Sequence, residues 1–204
     1  MRECGFYGHM LIETLREKTQ ALHEALHTHP LLAPLQEAIT QEDYAYILQA
    51  FYLAYTTSEA HRATLIADVP DAPVLEWLEQ DLIVHHIKPL EVAGIHYSAI
   101  TTPSQLRGYL YVKQGSTLGG RVISKHLSKM LGLVDGKTNH FFAGYGEETG
   151  PRWKAFLAAL GQSHVNTDEA VGQAVTTFEL IRHCCDAVLA HKMSRTSNHS
   201  ALSG

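Results

Sequence analysis

The chain is poor in the features that mark several large protein classes. Three cysteines in 204 residues, Cys4 and the adjacent Cys184 and Cys185, cannot build a disulfide framework. None stands in a Cys-x-x-Cys pair, which excludes a zinc ribbon and a dithiol redox motif. No apolar run approaches the roughly 18 residues that a membrane span needs. The N-terminus lacks a basic start followed by an apolar core, so no signal peptide is expected. These absences fit a reducing cytoplasm. Basic residues are outnumbered, 16 Lys and Arg against 21 Asp and Glu for a net charge of −5, and they do not cluster, which argues against a nucleic-acid partner. Apolar–polar alternation never persists and no turn pair separates two apolar runs, so strands are not expected.

The residues present describe helices. The chain is 45% hydrophobic and 18% charged, enough apolar content for one soluble domain with a sizeable core. Residues 1–8 read as a flexible arm. A first helix is expected from about His9 to Thr28, with Leu11, Leu15, Leu22 and Leu26 on one stripe. Thr40 with Asp43 forms a helix start close to a capping box, and that helix reaches about Ile66. Further helices are expected over 72–87 and 89–94. Thr102-Pro103 places a capping side chain before proline at the first helical position and opens a long helix that stops at Gly132. Pro151 starts a helix to Leu160, and Thr167 caps a last one over 168–191. The tail 192–204, rich in Ser and Asn, reads as disordered. The sum is an all-α domain over 9–191 with seven or eight helices, and monomer is the default state.

One stretch opposes this pattern. Gly115-Ser116-Thr117-Leu118-Gly119-Gly120 sits inside the long helix, where three glycines cost on the order of 2–3 kcal/mol relative to alanine. Gly115 and Gly119 share a face, with Gly120 beside them. Such a face admits another backbone or a flat ligand, and it permits a bend. A close helix crossing and a planar cofactor both satisfy the spacing. His23, at the border of the first helix's apolar stripe, could be a half-buried packing residue or an axial ligand. Arg16 lies two turns earlier on the same side, placed to pair with a carboxylate.

Taken together, Leu15-Arg16-Glu17-Lys18-Thr19-Gln20-Ala21-Leu22-His23 resembles the proximal helix of haem oxygenases. The Gly115–Gly120 stretch resembles their distal helix, as found in the bacterial branch that accompanies bacteriophytochromes or iron acquisition. The order and separation of the two motifs also match, and the resemblance covers about residues 10–190. It implies a fold with haem held between a proximal and a kinked distal helix. His23 would be the proximal iron ligand. Gly115 and Gly119 would bring backbone over the haem face, and Gly120 would allow the kink. Arg16 and Tyr111 would contact propionates, with Lys154 or its neighbour Arg152 as a further partner, and Phe178 would line the wall. Ser116 stands where animal-type enzymes have an aspartate that orders water near the reacting oxygen.

The implied reaction uses haem as substrate and cofactor, together with dioxygen and external electrons from a ferredoxin or flavin reductase. Its products are biliverdin, carbon monoxide and ferrous iron, and the biliverdin could feed a phytochrome. Two alternatives stand beside it. One is haem binding or trafficking without turnover. The other is a non-haem dinuclear metal oxidase of the same fold, using Asp81-x-x-x-His85 and Glu179-x-x-x-His183. A thiaminase-type reading would need a reactive cysteine in the pocket, and Cys184 and Cys185 read instead as packing residues.

Overall fold

The computed structural model describes residues 2–62, 65–162 and 165–202, with side chains from Gly8 onward except at position 196 and beyond Ser197. Six α-helices are present among these residues: α1 (Arg2–His27), α2 (Gln41–Ala60), α3 (Val74–Val84), α4 (Pro103–Leu131), α5 (Thr149–Gln162) and α6 (Thr167–Leu202). Two short 3₁₀ turns, Ala33–Gln36 and Gly146–Glu148, complete the order. No strand occurs among the described residues. The long α6 is the common support, since α1, α2 and α4 all pack on it, while α5 packs on α1 and α4.

The helix starts are set by local chemistry. The Thr40 hydroxyl accepts from the Asp43 N–H at 3.1 Å, and Asp43 accepts from the Thr40 N–H at 3.0 Å, a reciprocal cap. Thr102 and Gln105 repeat the arrangement at the start of α4, with Pro103 in the first turn. Gly132 ends α4 in the left-handed region at φ 69°, a conformation that favours glycine. The cap of α6 differs from the expectation. Asn166, not Thr167, accepts from the N–H groups of Asp168 and Glu169 at 3.1 and 3.3 Å.

Several boundaries depart from the sequence reading. The expected arm at 1–8 is helical from Arg2 onward, although the side chain of Cys4 lies outside the described residues. Gly8 explains why a glycine-bearing stretch stays helical: a Cβ there would lie 2.2 Å from the Gly161 carbonyl oxygen. The two glycines therefore let α1 and α5 cross backbone to backbone. The expected tail from Lys192 continues α6 to Leu202. Lys192 pairs with Asp43, and Ser194 and Ser197 turn their hydroxyls onto carbonyls three and four residues earlier, so these serines follow the helix instead of competing with it. The expected helix at 89–94 is absent, because the chain turns at Ala93-Gly94 with Gly94 at φ 81°.

The connection between α4 and α5 is fixed by one buried carboxylate. Asp81 on α3, fully buried, accepts from the His140 N–H at 2.7 Å, the His140 Nδ1–H at 2.8 Å and the Phe141 N–H at 2.9 Å. This clamp seats Phe141 and Phe142 against Phe51 of α2, ring centroids 5.0 and 6.1 Å apart. Asp81→Ala leaves two backbone donors and one imidazole without their acceptor. It should destabilise the fold by about 3–5 kcal/mol and lower Tm by about 10 °C, read by calorimetry.

Candidate functional site

The helices α1 and α4 both lean on α5 and α6 but scarcely touch each other. The faces they turn toward the space between them are defined by helical phase. At about 100° per residue, Arg16, His23 and His27 fall within about 40° of arc on α1, and Tyr111, Gly115, Leu118, Gly119 and Val122 within about 100° on α4. The two faces meet at one end. Burial pushes the Tyr111 phenol upward, opposed by the Arg16 guanidinium and by a hydrogen bond with Thr19. Farther along, the α4 face is uncovered: Leu118 is 38% and Val122 75% exposed, and a side chain at Gly119 would meet nothing within 4 Å. Exposed apolar residues in series beside an open glycine mark a surface that awaits a flat apolar partner.

The opposing face carries an imidazole. His23 is exposed and shares its face of α1 with Arg16. Its ring lies 6.1 Å, edge to face, from Phe178 of α6 and 4.6 Å from His27. Partial desolvation, with a smaller contribution from His27, lowers the His23 pKa below its ordinary value. The ring is therefore neutral at neutral pH, the form in which imidazole binds a metal.

The three glycines have three different environments. Gly119 faces open space. Gly115 is covered by the Trp153 ring, whose edge atoms would lie 3.7 and 3.8 Å from a Cβ at that position. Gly120, expected to allow a kink, is buried, and its Cβ would lie 2.8 Å from the Phe142 carbonyl oxygen. Its role here is close approach of α4 to the clamped connection. Gly120→Ala should therefore destabilise by about 1–3 kcal/mol, because the obstructing atom is backbone; denaturant unfolding measures it.

Ser116 is turned toward α2 rather than into the open space. Its hydroxyl donates to the Lys113 carbonyl at 2.8 Å. The neighbouring Tyr55 hydroxyl is buried and completes no hydrogen bond among the described residues. Burial pushes Tyr55 up to about 12, with Ser116 opposing the rise. Behind Ser116, Lys113 is 4% exposed and pairs with Glu59 and, at 2.8 Å, with Asp71.

Lys154 is exposed on α5, and no contact joins it to Arg16 or Tyr111 among the described residues. Its neighbour Arg152 lies over the Tyr145 ring at 4.4 Å and is engaged there. Trp153 and Tyr55 were not singled out by the sequence. Trp153 adjoins Lys154, but its spacing with Phe156, Leu157 and Leu160 matches a packing stripe, so only the structure places it at the site. Tyr55 likewise belongs to a helix whose aromatic residues read as core.

The residues fit a porphyrin. A cradle that any side chain at 119 would fill, an apolar face, a neutral imidazole opposite and a cation with a phenol at one end match the flat body, the iron and the carboxylates of haem. The dinuclear metal alternative fares worse. Asp81 is committed to His140 and Phe141, His85 Nε2 meets the Thr138 carbonyl at 2.7 Å, and Glu179 and His183 are solvent-exposed. Among the described residues no group of three or more His, Cys, Asp or Glu side chains is placed to hold a metal ion. Cys184 and Cys185 are buried and burial raises both thiols, Cys184 to about 12; neither suits nucleophilic chemistry. Among the described residues no helix is long and apolar enough to cross a membrane.

Known proteins agree with this geometry. No curated protein matches the chain significantly. Among solved structures, haem oxygenase-1 of the cyanobacterium Synechocystis, determined in complex with haem, is 19% identical with a TM-score of 0.71, over 95% of this chain and 98% of that one. The haem oxygenase of Neisseria meningitidis is 19% identical with a TM-score of 0.68, over 88% and 92%. That of Leptospira interrogans is 21% identical with a TM-score of 0.66, over 86% and 98%. At such identities these likenesses establish the fold. The family profile described as Heme oxygenase matches residues 9–186, nearly the whole domain, and the chain belongs to the haem oxygenase family, enzymes that degrade haem to biliverdin.

Proposed function

We propose that this chain performs its family's reaction in the space between α1 and α4, where His23 would hold the haem iron. The observation that carries this is the uncovered α4 face at Gly119 together with a neutral, exposed histidine on a helix that meets α4 near Tyr111 and otherwise scarcely touches it. Haem supplies the redox centre at which dioxygen is activated and is itself the molecule cleaved. The protein contributes binding, orientation and a proton source. Arg16 and Tyr111 hold the propionates at one end. Phe178 supports the His23 ring from α6. Leu118, Gly119 and Val122 close over the porphyrin face and exclude water from it. The Tyr55 hydroxyl keeps its proton at neutral pH, and together with Ser116 it can hold and pass a proton at the α2 side of α4.

Opening the ring consumes more electrons than the iron carries, so the proposal includes an external donor of ferredoxin or flavin-reductase type. It also includes a monomer acting in the cytoplasm and release of biliverdin to a phytochrome-type acceptor or of iron to metabolism. The test is to add hemin to the purified protein and then a ferredoxin system or ascorbate in air. A stoichiometric Soret band that decays to a biliverdin band supports the reading. A stable Soret band under every reductant would leave haem binding without turnover, and no stoichiometric band would overturn the haem site.

A further inference from the structure

Trp153 is the one large aromatic residue of α5 that reaches the site. It stacks on Phe156, ring centroids 5.6 Å apart and 17° from parallel, which fixes its plane from behind. Its ring lies 5.7 Å from the Tyr111 ring, and the far edge of its six-membered ring covers Gly115. It is only partly buried, and among the described residues nothing accepts from its indole N–H. A ring held on one side by Phe156, with an edge against Gly115, borders the α4 face that carries Gly119 one turn further on.

Such a ring has a specific consequence for a flat ligand. A porphyrin held by one axial bond can turn about that bond like a disc on a pin. The Arg16 and Tyr111 contacts restrain one edge. A rigid wall away from the axis removes the remaining rotation. On the proposed haem reading, we infer that Trp153 contacts the porphyrin edge and fixes its rotation in the slot, and so is a specificity-determining residue that decides which meso carbon is cleaved. Trp77, the other tryptophan, packs on Tyr145 at 5.0 Å and serves as an internal reference.

The test uses the full chain and zinc protoporphyrin, a diamagnetic probe that undergoes no turnover. The porphyrin ring current should shift the Trp153 indole N–H resonance, assigned by its loss in Trp153→Phe, more than that of Trp77. With hemin, Trp153→Ala should bind about tenfold more weakly and convert a single biliverdin isomer into a mixture. Trp153→Phe, which keeps an aromatic wall, should largely restore the single isomer. The inference is overturned if porphyrin binds stoichiometrically without moving the Trp153 signal, or if Trp153→Ala keeps both affinity and product. Should Trp153→Ala fail to fold, the resonance shift in the parental protein decides alone. Failure of the parental protein to bind either porphyrin would instead overturn the haem reading itself.

Discussion

Gly119→Leu should abolish stoichiometric haem binding while leaving the protein at least as stable as before. The two halves of this result have separate causes. A Cβ at Gly119 meets nothing within 4 Å, so the folded chain can accept the larger side chain without strain. Replacing a mid-helix glycine by a good helix former adds about 0.5–1 kcal/mol. The same side chain then projects into the space between α1 and α4. A leucine that fills the gap over the porphyrin face denies the ligand its contact, and hemin affinity should fall by on the order of a hundredfold or more, about 3 kcal/mol. A Soret titration and a thermal melt on one preparation give both values. Unchanged affinity would mean that the open face at Gly119 is not where haem lies. Gly120→Ala makes the contrast, since it should cost stability because its Cβ meets the Phe142 carbonyl.

His23→Ala should remove the parental axial ligation and reduce turnover by at least about a hundredfold, equivalent to about 3 kcal/mol of transition-state stabilisation. The imidazole is presented at the centre of the α1 face, neutral at neutral pH and supported by Phe178 at 6.1 Å. Its removal leaves the iron without a nitrogen donor on that side. One neighbour needs a control: the His27 ring is 4.6 Å away. A residual imidazole-type spectrum in His23→Ala should therefore vanish in the His23→Ala/His27→Ala double variant. If His23→Ala keeps the parental spectrum and rate while the double variant loses them, His27 is the ligand. If both variants keep them, α1 does not carry the ligand.

The site itself was only partly legible in the sequence. Arg16 and His23 are seven residues apart on one helix, and two turns of a regular helix put them on one face whatever surrounds them. Tyr111, Gly115 and Gly119 share a face of α4 for the same reason. The three glycines looked alike in sequence, yet one is open, one lies under an indole and one abuts a carbonyl. That distinction depends on residues 22 to 38 positions away, Phe142 for Gly120 and Trp153 for Gly115. Ser116 could be read as a neighbour of the reacting oxygen, but helical phase turns it toward Tyr55 of α2. Trp153 was hidden because a residue at packing spacing becomes a site residue only where its neighbouring element is missing.

The extent of α1 and α6 shows the same division. Residues 1–8 read in the sequence as a flexible arm. The crossing of Gly8 on Gly161 reverses that judgement, since the absent side chains are what allow the contact. What the sequence determined by itself was local: the Thr40 and Thr102 caps, the stop at Gly132, the absence of strand patterning, and the facing of Arg16 with His23 and of Gly115 with Gly119. These follow from periodicity and from side chains that bond their own backbone within one turn. What only the tertiary structure decided was which faces are left uncovered. A slot exists because α1 and α4 are each held by α5 and α6 and meet one another at one end, and that separation is written in the packing of the helices around them, not in the residues of either.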